Sequence, residues 1–376
     1  MQARIFRFGL KNMGWKGKTL AYITVVFNFL LFFSYLAYLS DPLRSTWISF
    51  TGLFYPIIFL FNILLLIIWI LKRKLFFLPT LIIIILGMYH HSRFFQFYAI
   101  DNIDDNINKL KVMSYNVRLF DLYNWNENKE SKAQIMSLIN EVNPDVLCLQ
   151  EYYFTEDKKL AFNTRNYIID SLGFKYYYEN FSEESKNENY FGMATFSKCP
   201  ILNSGSKQFS NDISNQFIFT DLKKGNDTIR IYNTHLGSIR FNHTDYKVMG
   251  GKGNPIWPHQ KPPKRNILSK LKKGFKKRST QVKSLSKHIN SSPLKTIVCM
   301  DMNDTPISYS YHQMDKYLND AFTNSGFGFG GTYIGNIPAL RIDYIWHDKK
   351  LGSSNFVVYD ENLSDHKAIS AEIIIP

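Results

Sequence analysis

Three cysteines in 376 residues are too few for a disulfide scaffold, and no two of them form a CxxC pair that could hold a metal. Cys148 and Cys299 lie inside apolar runs and read as buried thiols, while Cys199 precedes a proline in a turn. Acid is almost missing from the N-terminal quarter: residues 1–100 hold one, Asp41, against ten Lys/Arg, a net charge of +9. The whole chain carries +14, which leaves +5 for residues 101–376. That asymmetry excludes a wholly soluble, uniformly basic nucleic-acid binder. Charge of either sign is absent from three stretches, Thr19–Ser40 (22 residues), Ser45–Leu71 (27) and Leu75–Ser92 (18).

Each of these stretches approaches the roughly 20 apolar residues that cross a hydrocarbon core. The expectation is an N-terminal transmembrane module, residues 1–100, with about three spans near 19–40, 45–71 and 75–92. The third is the weakest, with Pro79 early and His90 and His91 late; it could instead lie on the surface. A cleaved signal peptide does not fit the first, whose apolar run is too long and lacks a small-residue cleavage site. Basic residues set the orientation. Arg4, Arg7, Lys11, Lys16 and Lys18 keep the N-terminus cytoplasmic, and Lys72–Lys74 does the same for the second loop. Everything after about residue 93 is then expected outside the cell, as part of a multi-pass protein of the cell membrane.

A polar linker, residues 101–108 (DNIDDNIN), leads into a domain spanning 109–376. Strand-like apolar runs occur at Leu110–Val117, Val146–Gln150, Phe191–Phe196, Phe217–Asp221, Ile229–Asn233, Thr296–Met300, Ile342–Trp346, Phe356–Tyr359 and Ala368–Ile375. Helical patterns occur at Ser131–Glu141, Lys158–Leu172, Asn266–Ile289 and Ser308–Leu318. Many strands and few helices in irregular order point to an α/β domain of two packed sheets with helices outside, not a doubly wound parallel sheet.

The polar residues that close the apolar runs carry the chemistry. Asn116 ends VMSYN, Glu151 ends VLCLQE, and Asn233 and His235 end RIYNTH. Asp301 and Asn303 close IVCMDMN, Asp343 sits in RIDYIW, and Asp365 and His366 sit in LSDH before the last strand. Each alone has a bland reading: Asn116 as a turn residue, His235 as a hydrogen-bonded structural histidine, Asp343 as a strand acid with a core partner. Together they suit a catalytic cleft at one edge of a sandwich.

In order and spacing, SYN (114–116), LQE (149–151), NTHL (233–236), DMND (301–304), RIDYI (341–345) and SDH (364–366) resemble the endonuclease/exonuclease/phosphatase superfamily. Its members include DNase I-like nucleases, inositol polyphosphate phosphatases and neutral sphingomyelinases. FGMATFSKCPI (191–201) and GTY (331–333) add to the likeness; Met300 departs from it, standing where glycine is usual. The resemblance implies a four-layer α/β/β/α sandwich and hydrolysis of a phosphate ester with Mg²⁺ or Mn²⁺. It implies Glu151 as the chief metal ligand, a hard carboxylate suited to such ions. Asn116 would lend its amide oxygen or hold the metal's water, and Asp365 is a candidate to complete the site. His366 would act as general base or contact the phosphate, oriented by Asp343. Asp301 would align or deprotonate the attacking water, and Asn303 and His235 would donate to phosphoryl oxygens. Whether Asp301 or His366 takes the proton stays open at this level. None of the eight residues is substituted, which speaks against an inactive descendant.

Between Lys247 and Lys287 lie thirteen Lys/Arg and no acid, so the rest of residues 101–376 carries −8. The first part, GGKGNPIWPHQKPPKR, reads as a loop overhanging the site. In the second, Ile267, Leu271, Phe275, Val282, Leu285 and Ile289 form an apolar stripe on a basic helix. Three uses are open: a solvated helix packed on the sheet, contact with anionic lipid, or contact with a polyanion such as nucleic acid.

The expected function is thus a membrane-anchored phosphoesterase. Its partners would be membrane lipids and a phosphate-ester substrate, most simply a phospholipid at the outer surface, with no obligate protein partner implied. A surface nuclease is the alternative within the same chemistry, although its basic charge would be confined to one insertion. A catalytically silent tethered binding protein is the alternative outside it. A transporter is disfavoured, since the three stretches contain no ionisable path.

Overall fold

The computed structural model describes residues 9, 13–99, 108–157, 162–185, 188–210, 212, 215–238, 267–335 and 340–376. The chain divides into two compact units, Met1–Arg93 with Thr305–His312, and Phe94–Asp304 with Gln313–Pro376. The expected linker and the loop half of the basic insertion lie outside the described residues.

The first unit contains helices α1 (Trp15–Ala37), α2 (Trp47–Leu53), α3 (Tyr55–Leu71), α4 (Phe77–Leu86) and α5 (Met88–His91). Among the described residues, only α1 is by itself long and apolar enough to cross a membrane. The expectation of three spans is therefore corrected. The second stretch is broken: α2 and α3 meet at 67°, and only as one bent element do they reach spanning length. Pro56 stands in the first turn of α3 and has no N–H to continue the α2 ladder. The third stretch yields α4, ten residues long, which stops at Gly87. At 1.5 Å per residue it extends about 15 Å, half a hydrocarbon core.

This unit buries polar side chains among apolar ones and exposes an apolar face. Thr24, Asn28 and Ser34 are buried on α1, whereas Val25, Val26, Phe29, Phe32 and Phe33 are exposed. The buried groups bond between helices: Trp69 Nε1 donates to Thr24 Oγ1 at 2.8 Å, Asn62 Nδ2 to the Phe27 carbonyl at 3.1 Å, and Ser34 Oγ to the Thr51 carbonyl at 2.8 Å.

The second unit is built on two six-stranded sheets. One has the order β10–β12–β9–β8–β7–β6, the other β13–β14–β2–β3–β5–β4. Its central strands are β2 (Lys109–Asn116), β3 (Val146–Thr155), β5 (Asn189–Ser197), β7 (Gln216–Lys224), β8 (Asp227–His235), β9 (Lys295–Asp301), β12 (Asp343–Asp348) and β14 (Ile369–Ile374). The outermost strands are β4 (Tyr176–Ser185), β6 (Ile201–Gln208), β10 (Leu318–Asp320) and β13 (Gly352–Val358). Period-two alternation sends one set of side chains between the sheets, where Leu110, Val112 and Cys148 meet Ile229, Ile231, Ile297, Cys299 and Ile345. The opposite face of β2 and β3, with Met113, Tyr115 and Leu147, packs on Ile135, Leu138, Ile139 and Val142 of α6 (Ser131–Val142). The basic helix Ile267–Asn290 covers the other sheet, with Leu271, Phe275, Val282, Leu285 and Ile289 buried. His288 on this helix accepts or donates at 2.8 Å to Tyr232 of β8 and packs edge-on against Phe217 of β7. The succession is helix, sheet, sheet, helix.

Two expected helices end differently. In Lys158–Leu172 the described residues are helical from Thr164, as an α-helical turn at Thr164–Asn166 that continues in a wider helical turn at Tyr167–Ser171. Ser308–Leu318 shortens to Tyr309–Asp315, and Leu318 already belongs to β10.

Candidate active site

Two pairs of neighbouring strands run parallel, β2 with β3 and β8 with β9, so their C-terminal ends open at the same edges of their sheets. In one sheet His235 lies opposite Asp301, and Asp301 opposite Asp343, a row of three across β8, β9 and β12. In the other, Asn116 lies beside Gln150. The sheets are joined there by Asn116 Nδ2, which donates to Asp301 Oδ2 at 3.0 Å. His366, from the turn before β14, brings Nδ1 to 2.9 and 3.1 Å from the two Asp343 oxygens. A carboxylate only accepts, so the imidazole proton sits on Nδ1 and Nε2 turns towards Asp301, 3.8 Å away.

Glu151 reaches the cleft through a departure from strand geometry. Pairing between β3 and β5 shifts register between Leu149 and Tyr152, and Glu151 takes φ +48°, the left-handed region. Such a bulge re-aims a side chain, here at a strain of roughly 1 kcal/mol or more. The half-exposed carboxylate lies 3.9 Å from His235 Nε2. His235 Nε2 is buried, 3.3 Å from Asp301 Oδ2, and makes no hydrogen bond there. A buried orphan nitrogen beside two carboxylates leaves room for a further polar ligand.

Asp301 is fully buried. Burial pushes its carboxyl above the usual range, and Asp343 adds to this, while His366, His235 and the Asn116 amide pull the other way. Its Oδ1 accepts from the Asn303 backbone N–H at 2.9 Å. For His366 burial opposes the charged form. The carboxylates of Asp343 and Asp301 outweigh it and hold the imidazole proton-rich, well above the ordinary histidine value.

All eight expected residues lie at this edge, in unequal states. Asn303, at φ +53°, spends one amide N–H on the Leu236 carbonyl at 3.1 Å. Asp365 is part-exposed and paired with Arg118, whose Nε lies 3.6 Å from Oδ2. Asn116 Oδ1 accepts from the Arg118 backbone N–H at 3.1 Å. Asp301, Asp343 and His366 also offer ligand atoms within 4.8 Å of one another. The direct Asp343–His366 hydrogen bonds occupy that trio with a proton instead, which leaves the hard oxygen of Glu151 as the better cation ligand.

Sequence reasoning missed the supports. Gln150 Nε2 donates to Asn233 Oδ1 at 2.8 Å, and Asn233 Nδ2 donates to the carbonyls of Leu149 and Ala194, so Asn233 ties the sheets together behind the site. Thr332 Oγ1 accepts from the backbone N–H of Ile342 and Asp343, both at 3.1 Å. Arg118 stacks on Trp125 at 4.4 Å. The signals were present: Gln150 sits inside LQE, Thr332 inside GTY, and Arg118 two residues after Asn116.

A family model described as Endonuclease/Exonuclease/phosphatase family matches residues 113–271 and 285–366. The chain belongs to that family. Members are metal-dependent phosphoesterases and nucleases. Residues 17–94 match a second model, described only as a domain of unknown function (DUF8431). No curated protein matches. Among solved structures, the human Nocturnin catalytic domain, with a bound sulfate anion, is 18% identical with a TM-score of 0.50, covering 72% of this chain and 96% of that one. An endonuclease/exonuclease/phosphatase from Beutenbergia cavernae is 14% identical with a TM-score of 0.51, covering 71% and 72%. A family protein from Leptotrichia buccalis is 16% identical with a TM-score of 0.50, covering 71% and 100%. At these identities the likeness is one of fold.

Proposed function

We propose that this protein is a membrane-anchored, divalent-metal-dependent phosphoesterase that hydrolyses a phosphodiester, such as a phospholipid, at the outer membrane surface. The observation that carries the chemistry is the Asp343–His366 pair set beside buried Asp301, next to a Glu151 carboxylate aimed into the same cleft. Glu151, the amide oxygen of Asn116 and Asp365 would hold Mg²⁺ or Mn²⁺. The ion would neutralise phosphoryl and leaving-group oxygens.

The chain's own groups divide the proton work. His366, kept proton-rich by Asp343, donates from Nε2 to a phosphoryl oxygen as charge grows there. Asp301, made more basic by burial, takes the proton of the attacking water, and Asn116 Nδ2 fixes the orientation of its carboxylate. The orphan Nε2 of His235 and the second N–H of Asn303 remain for the other phosphoryl oxygens.

The membrane half of the reading is supported by α1, by the apolar face that it exposes and by the hydrogen-bonded polar groups buried between the helices. With α1 as the one crossing, the five basic residues ahead of it and at its start favour a cytoplasmic N-terminus and an outward catalytic unit. The test is turnover of a panel by the purified full chain in detergent: phospholipid, DNA, a small soluble phosphodiester and a phosphomonoester, each with Mg²⁺ and with EDTA. Metal-dependent cleavage of the phospholipid above the others is the expected result. Preferential cleavage of DNA would replace the lipid by the nucleic acid, and no cleavage with any metal would end the enzymatic reading.

A further inference from the structure

The second unit exposes large apolar side chains very unevenly. Among its described residues the four most exposed are Tyr98 (86%), Phe329 (74%), Phe97 (71%) and Phe327 (68%), and the next, Leu202, follows at 57%. All four lie on or beside one two-stranded ribbon, β1 (Phe95–Gln96) paired antiparallel with β11 (Gly328–Phe329). Phe95 opposes Phe329 with ring centroids 4.7 Å apart and touches Phe97 at the same distance. The Gly330 N–H donates to the Phe94 carbonyl at 3.2 Å and fastens the ribbon at its end. Gly328, at φ +71°, lies between Phe327 and Phe329, both of which are exposed. Soluble surfaces rarely gather exposed aromatics in one place without a use.

Where the chain enters this ribbon identifies the use. Phe94 follows directly on the apolar helical unit that ends at Arg93. At no more than about 3.6 Å per residue, Tyr98 lies within roughly 18 Å of Arg93 whatever the chain does between them. Aromatic side chains that close to the end of an apolar helical segment belong at the level of lipid headgroups, where Tyr is enriched and Phe buries its ring at the acyl boundary.

We propose that the β1–β11 ribbon is a lipid-interface anchor of the catalytic unit, with Phe97, Tyr98, Phe327 and Phe329 inserted at the headgroup boundary. This rests on the membrane reading above and adds to it. Three residues beyond Phe329 comes Thr332, whose hydroxyl holds the Asp343 backbone, and whose carbonyl accepts from Lys367 N–H at 2.7 Å. Tyr333 pairs with His366 by an isolated bridge. Anchoring the ribbon therefore fixes the distance from the lipid surface to the Asp343–His366 pair, so a phosphodiester within that surface is presented to the site without leaving it.

The experiment uses the full chain in phospholipid vesicles, with Cys199→Ser to leave only the buried Cys148 and Cys299. An environment-sensitive fluorophore is placed on Phe329→Cys, and in a second protein on Leu202→Cys. Quenchers are a lipid spin-labelled near its headgroup and aqueous iodide. We expect the label at 329 to be quenched by the lipid and shielded from iodide, and the label at 202 to show the reverse. Replacing Phe97, Tyr98, Phe327 and Phe329 by Ser should lower turnover of vesicle-borne phosphodiester about tenfold, a modest binding effect. Turnover of a small soluble phosphodiester should stay unchanged, which also certifies folding. A chain that remains in the vesicles after alkaline carbonate while its 329 label is quenched only by iodide overturns the ribbon anchor alone. Shielding of that label without vesicles, with association in solution, assigns the patch to a second copy and equally overturns it. A chain that washes off overturns the membrane reading and the anchor together.

Discussion

The two units of this chain distribute the same amino acids differently, and the membrane reading proposed above supplies a reason. In α1, buried positions include Thr24, Asn28 and Ser34, and exposed ones are Val25, Val26, Phe29, Phe32 and Phe33. In β2, β8 and β9 the interior is apolar: Val112, Ile231 and Ile297 are buried between the sheets, and Met113, Val298 and Met300 are buried on the opposite faces. A water-solvated domain gains by hiding apolar area. A lipid-solvated one gains nothing from that, and its helices associate through small residues and hydrogen bonds. On that reading polarity enters the interior of the first unit as glue between helices, whereas in the second it is buried as tightly bonded pairs, such as Arg341–Asp320 and Arg278–Asp304, and as the cluster at one sheet edge that forms the candidate active site.

The sharpest way to break this contrast is to remove the partly exposed carboxylate of Glu151 from that edge. Glu151→Gln keeps the shape and deletes the charge, and should lower metal-dependent turnover about a thousandfold, the scale of losing a principal electrostatic contact. Melting in EDTA should be unchanged, because the carboxylate has no close partner beyond His235 at 3.9 Å. Full activity under saturating Mg²⁺ would remove Glu151 from the metal site.

The next effect separates polar residues that work as a unit from those that merely fill space. His366→Ala and Asp343→Ala should each lower turnover about a hundredfold, and the double variant little further, since either change disables the same proton carrier. Asp343→Asn also carries a sign. Asp343 raises the His366 pKa, so its neutral replacement should move the alkaline fall of activity to lower pH. Additive losses and an unmoved alkaline limb would give Asp343 a separate structural task.

What the sequence disclosed follows the same contrast. The buried strands β2, β8, β9 and β14 were legible because their apolar runs have one environment to report. The strands β4 and β6 were not: YYYENFSEES and ILNSGSKQ are absent from the expected strands. Both are sheet edges, where polar residues guard against pairing with other chains, so composition and secondary structure diverge. That the candidate residues would gather at one sheet edge was legible from their type and order, because each closes an apolar run. The left-handed backbone that aims Glu151 was not, since nothing in VLCLQE marks a bulge. In the helical unit, charge-free length suggested three crossings, but hydropathy does not register the break before Pro56 or the stop at Gly87.

A smaller effect tests the solvent of the first unit directly. Phe29 is exposed on α1, and if lipid covers it, Phe29→Asp should cost about 2.5–3.5 kcal/mol of insertion. The measurement is the fraction of full chain retained in membranes after alkaline carbonate, which should fall. Retention equal to wild type would mean that this face does not meet lipid.

The smallest effect concerns charge on the basic helix, where one element presents both kinds of environment. Arg278 is buried, 3.2 Å from Asp304, and Lys277 reaches Asp212 at 2.7 Å, so these two brace the body of the domain. Lys273, Lys276 and Lys287 lie on the exposed side. Changing those three together to Gln should alter stability by no more than about 0.5 kcal/mol per site, as for ordinary surface positions. Hydrolysis of a small soluble phosphodiester should be unaffected. If this face meets an anionic bilayer, each lysine contributes about 1 kcal/mol, and the contribution fades as salt shortens the Debye length. The comparison is turnover of substrate in anionic against neutral vesicles, at low and high salt, for full chain and variant. A loss confined to anionic vesicles at low salt makes the helix a lipid-facing surface. Equal turnover in all four conditions leaves it a solvated cover for the sheet beneath.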